Sequence, residues 1–153
     1  MPLLAFTDDL FQTWAADPEC ARLADRHYPR QKKGAAQFMP SGKKLVLRDA
    51  AGDVVFGWLW SPKELRADGE DGYNCTIFRN EGNRLASDIV LEAERLAVEK
   101  WGPNRAFTYI DPLKVPPTMV RSHPVWGFCY YKAGWHYVRL SKEGKHLLAK
   151  DLR

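Results

Sequence analysis

Cysteine is scarce in this 153-residue chain, and the three present, Cys20, Cys75 and Cys129, are scattered. An odd number, without any Cys-x-x-Cys or paired Cys/His spacing, argues against a disulfide framework and a zinc site and leaves buried thiols as the expectation. No two histidines stand three or four residues apart, so no metal is expected. Gly-x-Ser-x-Gly, Walker and Gly-x-Gly-x-x-Gly loops are missing too. Long apolar runs are also lacking: nothing approaches the roughly 20 residues of a membrane span. Met1-Pro2-Leu3-Leu4-Ala5-Phe6 leads into Asp8-Asp9 with neither a basic n-region nor a cleavage site, so a cytoplasmic protein with no membrane partner is expected. Repeats and low-complexity segments are absent.

What is present reads as one globular domain spanning 1–153, 45% hydrophobic and 27% charged. The formal charge is +4, and its distribution is uneven. From Arg26 to Arg48 there are seven basic residues and no acidic one, balanced later by Glu64, Asp68, Glu70 and Asp71. Such an arm would favour a phosphate-bearing partner, DNA or a nucleotide cofactor; a solvated basic loop is the alternative. Only Tyr28 and Phe38 interleave it, so stacking adds little to the nucleic-acid case.

Apolar Leu3–Phe6 predicts a strand, and Thr7 or Asp8 would cap a helix running through Leu10, Phe11 and Trp14. A second helix is predicted from Pro18 to about Arg26, stopped by Pro29. Strands follow at Lys44–Arg48 and Val54–Trp60, joined as an antiparallel hairpin across Asp49–Asp53, and at Tyr73–Phe78 after a polar loop. Leu85, Ala86, Ile89, Val90, Ala93, Leu96, Ala97 and Trp101 recur at intervals of three and four, which predicts a long amphipathic helix ending at Gly102. Ala106–Ile110 reads as a strand, and the proline-rich stretch Asp111–Pro124 as irregular. A short helix at Phe128–Ala133, closed by Gly134, and strands at Trp135–Leu140 and His146–Ala149 complete the order β-α-α-β-β-β-α-β-α-β-β.

Phe78-Arg79-Asn80-Glu81-Gly82-Asn83-Arg84-Leu85-Ala86-Ser87 joins a strand to the long helix. At such a turn the first helical N–H groups lack backbone partners and the helix dipole is positive, so a pyrophosphate is held largely by main chain, with Gly82 allowing close approach. The spacing Arg79-x-x-Gly82-x-Arg84-x-Ala86 resembles the coenzyme A pyrophosphate loop of the GNAT N-acetyltransferase superfamily. Arg84 stands where that family has Gly or Ala, so its side chain either turns away or narrows the pocket. Tyr130-Tyr131-Lys132-Ala133-Gly134-Trp135 looks like the superfamily's C-terminal Tyr-x-Lys-x-Gly-Phe segment, and the element order resembles the whole fold. The implied class is α+β: a mixed, mostly antiparallel sheet flanked by helices.

The resemblance implies an acyl-CoA cofactor, such as acetyl-CoA, and an acyltransferase. Tyr130 occupies the position of the residue that gives a proton to the leaving thiolate, which a phenol with pKa about 10 suits; packing on the sheet is its alternative. Tyr131 would exchange roles with Tyr130 if the helix phase differs. Asp111, closing the Ala106–Ile110 strand, would take or position the amine's proton, or else starts an Asp-Pro turn. His27 and Tyr28, with Arg26 and Arg30, would suit an anionic substrate, or cap the second helix.

These segments together are similar to small GNAT-like proteins of phages and prophages, and more distantly to phage Mom-type proteins that modify adenine in DNA. The acceptor implied is an amine, a nucleobase in DNA among them. The alternatives are a non-catalytic module binding nucleic acid or protein, and a protein or small-molecule N-acetyltransferase.

Overall fold

The computed structural model describes residues 9–26 and 38–153. His27, Tyr28, Arg30 and the strand expected at Leu3–Phe6 lie outside them. The described chain is a mixed α+β fold built on a mostly antiparallel seven-stranded sheet. In chain order its elements are β1 (Phe11–Thr13), α1 (Pro18–Ala24), β2 (Lys43–Arg48), β3 (Val54–Trp60), β4 (Tyr73–Asn80), α2 (Ala86–Trp101), β5 (Asn104–Ile110), β6 (Thr118–Val120), β7 (His123–Val125), α3 (Phe128–Lys132), β8 (His136–Leu140) and β9 (His146–Leu152). The sheet runs β1-β2-β3-β4-β5-β9-β8, and β6 and β7 pair apart from it. No described helix is long and apolar enough to cross a membrane.

Pleat alternation sorts the core onto two faces. Leu45, Leu47, Val54, Phe56 and Trp58 point to the face covered by Ile89, Val90, Ala93 and Ala97 of α2 and by Tyr130 of α3. Val46, Val55 and Leu59 point to the other, where Cys20, Leu23 and Ala24 of α1 cover them. Trp58 Nε1 donates to the Ala93 carbonyl at 2.9 Å, tying α2 to the sheet centre. Gly102, at φ 93°, ends α2 in a conformation that suits glycine.

Two expectations are corrected. Residues 11–13 form an edge strand on β2, not a helix. Leu10 is buried while Phe11 and Trp14 are exposed, so the three share no helical face, and the Arg48 guanidinium lies over the Phe11 ring at 5.6 Å. The stretch Asp111–Pro124 is not wholly irregular, since it carries the β6–β7 hairpin.

Candidate active site

One strand pair departs from the antiparallel rule. β4 and β5 run parallel and pair only at Tyr73↔Ala106 and Asn74↔Phe107, after which they diverge. The last link between them is a side chain: buried Thr108 donates its hydroxyl to the Cys75 carbonyl at 2.9 Å. Beyond it both strand edges that face the gap lack a strand partner.

At the same level β4 carries a bulge. Gly57 pairs with Ile77 and Trp58 with Cys75, leaving Thr76 as the extra residue. The bulge inverts the pleat: Tyr73 and Cys75 face α2 and α3, Ile77 faces α1, and Phe78 turns back to pack with Phe56 and Tyr130. Thr76 Oγ1 is buried there without a hydrogen-bond partner among the described residues.

The gap holds a cavity of ≈ 420 Å³ on the α2–α3 face, with Thr76, Phe78, Ala86, Thr108, Cys129 and Tyr130 among its walls. That volume lies within the range of small-ligand sites. Tyr130, 5% exposed, reaches the fork itself, with its hydroxyl 3.4 Å from Cys75 Sγ. Burial, then the two neighbouring thiols, pushes its phenol well above the usual value, so it stays protonated. Burial likewise pushes Cys75 up to about 12 and Cys129 up to about 11, which keeps both thiols neutral and weakly nucleophilic. Buried Glu94 on α2 accepts from Trp135 Nε1 at 2.9 Å and from Lys150 Nζ at 2.6 Å, and Lys150 donates to the Ala133 carbonyl at 2.7 Å. This clamp fixes the end of α3, and with it Tyr130.

The other expected residues divide. Phe78, Asn80 and Ala86 line the cavity, and buried Ser87 follows at the start of α2. Leu85 at the N-cap of α2 offers no side-chain acceptor to the first-turn amides, while Asp88 sets one carboxylate in that turn.

Gly82 serves a different contact from the one expected. A Cβ built on it would lie 3.3 Å from the Asp53 side chain. The Glu81 N–H donates to the Asp53 carbonyl at 2.8 Å, so the close approach is to the β2–β3 turn. The Asn80 side chain orders the loop, accepting from the Gly82 N–H at 3.0 Å and donating to the Arg84 carbonyl at 2.8 Å; Asn83 lies within that turn.

Neither arginine of the motif lines the cavity. Arg79 pairs with Glu81 at 2.7 Å and donates to the Arg26 carbonyl, while Arg26 pairs with the same Glu81. Those hydrogen bonds, from Arg26 first and then Arg79, hold the Glu81 carboxyl below the usual range. Arg84 turns along α2 to pair with Glu92, which leaves the pocket wide at the position that departs from the motif.

Asp111 is not part of the cavity wall. Its Oδ1 accepts from the Leu113 N–H at 3.0 Å and its carbonyl from Lys114 and Val115, which closes an Asp-Pro turn. Half-buried Tyr131 packs at the core's margin rather than in the cavity, so the phase of α3 puts Tyr130 in the site. Within the basic stretch, Arg48 is bound to buried Asp17 at 3.0 Å and Lys43 lies over Trp60 at 5.0 Å. No three His, Cys, Asp or Glu side chains among the described residues gather to hold a metal ion.

The residues that sequence reasoning missed are Asn74, Thr76 and Thr108. The signal for the bulge was available: apolar Tyr73, Cys75 and Ile77 alternate, and Phe78 then breaks the period. No protein-family model and no curated protein matches the chain.

Proposed function

We propose that the chain is a GNAT-type acyltransferase whose cofactor arm lies between β4 and β5. The fork carries this reading: a parallel pair that opens after two residues, with a bulge and an orphaned hydroxyl, offers backbone groups to an extended, amide-bearing ligand. An extended chain entering between two such edges completes their hydrogen bonds as an added strand does. The pantetheine arm of an acyl-CoA has that chemistry, and the open amides of α2 at Ala86 and Ser87 suit its pyrophosphate. Because Arg79 and Arg84 are already paired with carboxylates, main chain and dipole hold the phosphates.

Bound there, acyl-CoA supplies an activated carbonyl: the amine nitrogen forms the C–N bond as the C–S bond breaks, sulfur keeps that electron pair, and one proton passes from nitrogen to sulfur. Tyr130 contributes a neutral hydroxyl beside the sulfur's path. Raised above its usual pKa, it stabilises developing thiolate as a hydrogen-bond donor rather than by complete proton transfer. A nucleobase amine in DNA is one acceptor the resemblance adds.

Calorimetric titration with acetyl-CoA and desulfo-CoA tests this on the wild type and on Ala86→Glu. Asp88 already stands in the first turn of α2 but outside the cavity wall, whereas a carboxylate at position 86 enters the wall, where it repels an anion while favouring the helix by about 0.3–1 kcal/mol. Micromolar binding, lost in the variant while the melting midpoint holds, is expected. Absence of binding by the wild type overturns the reading.

A second reading, a non-catalytic module, is favoured by the ion pairs that already occupy Arg79 and Arg84. It predicts salt-dependent DNA binding without acetyl-CoA binding.

A further inference from the structure

The fork opens on both faces of the sheet. A second cavity, of ≈ 620 Å³, lies on the face opposite α2 and α3 and shares Asn74, Tyr109 and Lys145 with the first. The two differ in character: the first is walled mainly by apolar and uncharged groups. Arg66, Arg139, Lys142 and Lys145 line the second against only two carboxylates, Asp68 and Glu143.

Neither carboxylate is placed to hold an ammonium group. Asp68 accepts from Arg66 Nε at 2.9 Å, Arg66 Nη2 at 2.7 Å, the Glu70 N–H at 3.0 Å and the Tyr109 hydroxyl at 2.8 Å, which fills both its oxygens. Glu143 is exposed and pairs with Lys145 at 3.4 Å. Lys142 has no ion pair among the described residues. Arg139 pairs with Glu70, beyond the cavity wall, at 3.2 Å, so the positive surplus rests on Lys142.

Asn74 supplies the second observation. It is 9% exposed, and its side chain points opposite to Tyr73 and Cys75, into this cavity. Its carboxamide makes no hydrogen bond with the described residues. The carboxamide therefore faces the open space of the cavity, where a ligand can meet both its donor and its acceptor.

We infer that this second cavity receives the acceptor amine, and that the acceptor carries an anionic group, a carboxylate or a phosphate, with the Asn74 carboxamide as its anchor at the fork. The inference rests on the acyl-transfer reading. Positive surroundings draw in the anion and disfavour an ammonium, so the amine meets the fork in its neutral, nucleophilic form.

The test is calorimetry and thiol release from acetyl-CoA with 3-aminopropylphosphonate, β-alanine and propylamine. One or both anionic amines bind and are acylated, the stronger naming the anion, and propylamine binds at least about tenfold more weakly. Lys142→Glu, in an exposed turn, weakens the anionic amine about tenfold. Asn74→Leu removes the carboxamide that faces the cavity, so amine binding falls at least about tenfold while the melting midpoint stays near that of the wild type.

Acetyl-CoA binding with propylamine bound as tightly as the anionic amines overturns the anion preference alone. Amine binding without any acetyl-CoA binding overturns the acyl-transfer reading, and the acceptor assignment with it. Full amine affinity in Asn74→Leu removes the anchor.

Discussion

A phenol buried beside two thiols donates a hydrogen bond more readily than it gives up its proton, and this sets the role of Tyr130. If it stabilises a departing thiolate, Tyr130→Phe lowers kcat by about 10²-fold, leaving acetyl-CoA affinity nearly unchanged. Single-turnover acyl transfer with calorimetry separates the two; equal rates for both proteins would show that the hydroxyl only packs. The raised value also acts on stability. Above pH 10 the unfolded chain loses a proton that folded Tyr130 keeps, so its contribution is complete below about pH 10 and declines as pH rises toward the folded value. In Tyr130→Phe that alkaline decline is smaller, which urea midpoints measured from neutral to alkaline pH will show.

Legibility differed residue by residue. Tyr130 stood out through the resemblance, by its place four residues before Gly134, while its choice over Tyr131 needed the phase of α3. Asn74, Thr76 and Thr108 were not legible, since single polar residues inside strands look like ordinary pleat alternation and nothing local tells that two strands part there. For Arg79 and Arg84 the residues were legible but their partners were not, and of the two courses open to Arg84 the structure shows the one that turns away. Their charge invites a phosphate, but Glu81 and Glu92, which pair with them, follow two and eight residues later, and only the fold shows that they meet.

Elements with strong local chemistry were legible: α2 from its three-and-four spacing, β2 and β3 from apolar runs around Asp49–Asp53, and α3 from its glycine stop. The β6–β7 hairpin was hidden because its turn uses Arg121 and Ser122 at φ 51° and 67° where glycine or asparagine is usual. The edge strand β1 owes its conformation to the ladder offered by β2, which no local propensity encodes. The fork is set by one long-range bond. Thr108→Val removes the donor and leaves the Cys75 carbonyl unpaired, and is expected to cost about 2 kcal/mol. Urea unfolding should show a lower midpoint at unchanged slope for Thr108→Val, whereas Thr108→Ser, which keeps the hydroxyl donor, retains most of the wild-type stability. Equal stability of Val and wild type would mean that the strands part for another reason.

At the scale of the whole molecule, a sheet continuous through seven strands is interrupted at one place, and two cavities of opposite character meet there. Order along the chain foretold which strands neighbour the long helix, whereas charge did not foretell the cationic cavity, because its cations come from the 61–72 loop, β8 and the turn before β9. A ligand that fills the fork must protect amides from distant stretches of sequence together. In hydrogen exchange with saturating acetyl-CoA, peptides covering 74–80, 84–88 and 106–110 should slow in concert, because both unpaired edges and the first turn of α2 gain partners at once. The outer edge at β8, which touches no part of the first cavity, supplies the contrast and should exchange as before. Uniform slowing would report only added global stability, and slowing confined to 84–88 would place the phosphates without the arm. Coordinated protection of both edges is therefore the pattern that separates a ligand between β4 and β5 from one resting on the helix end.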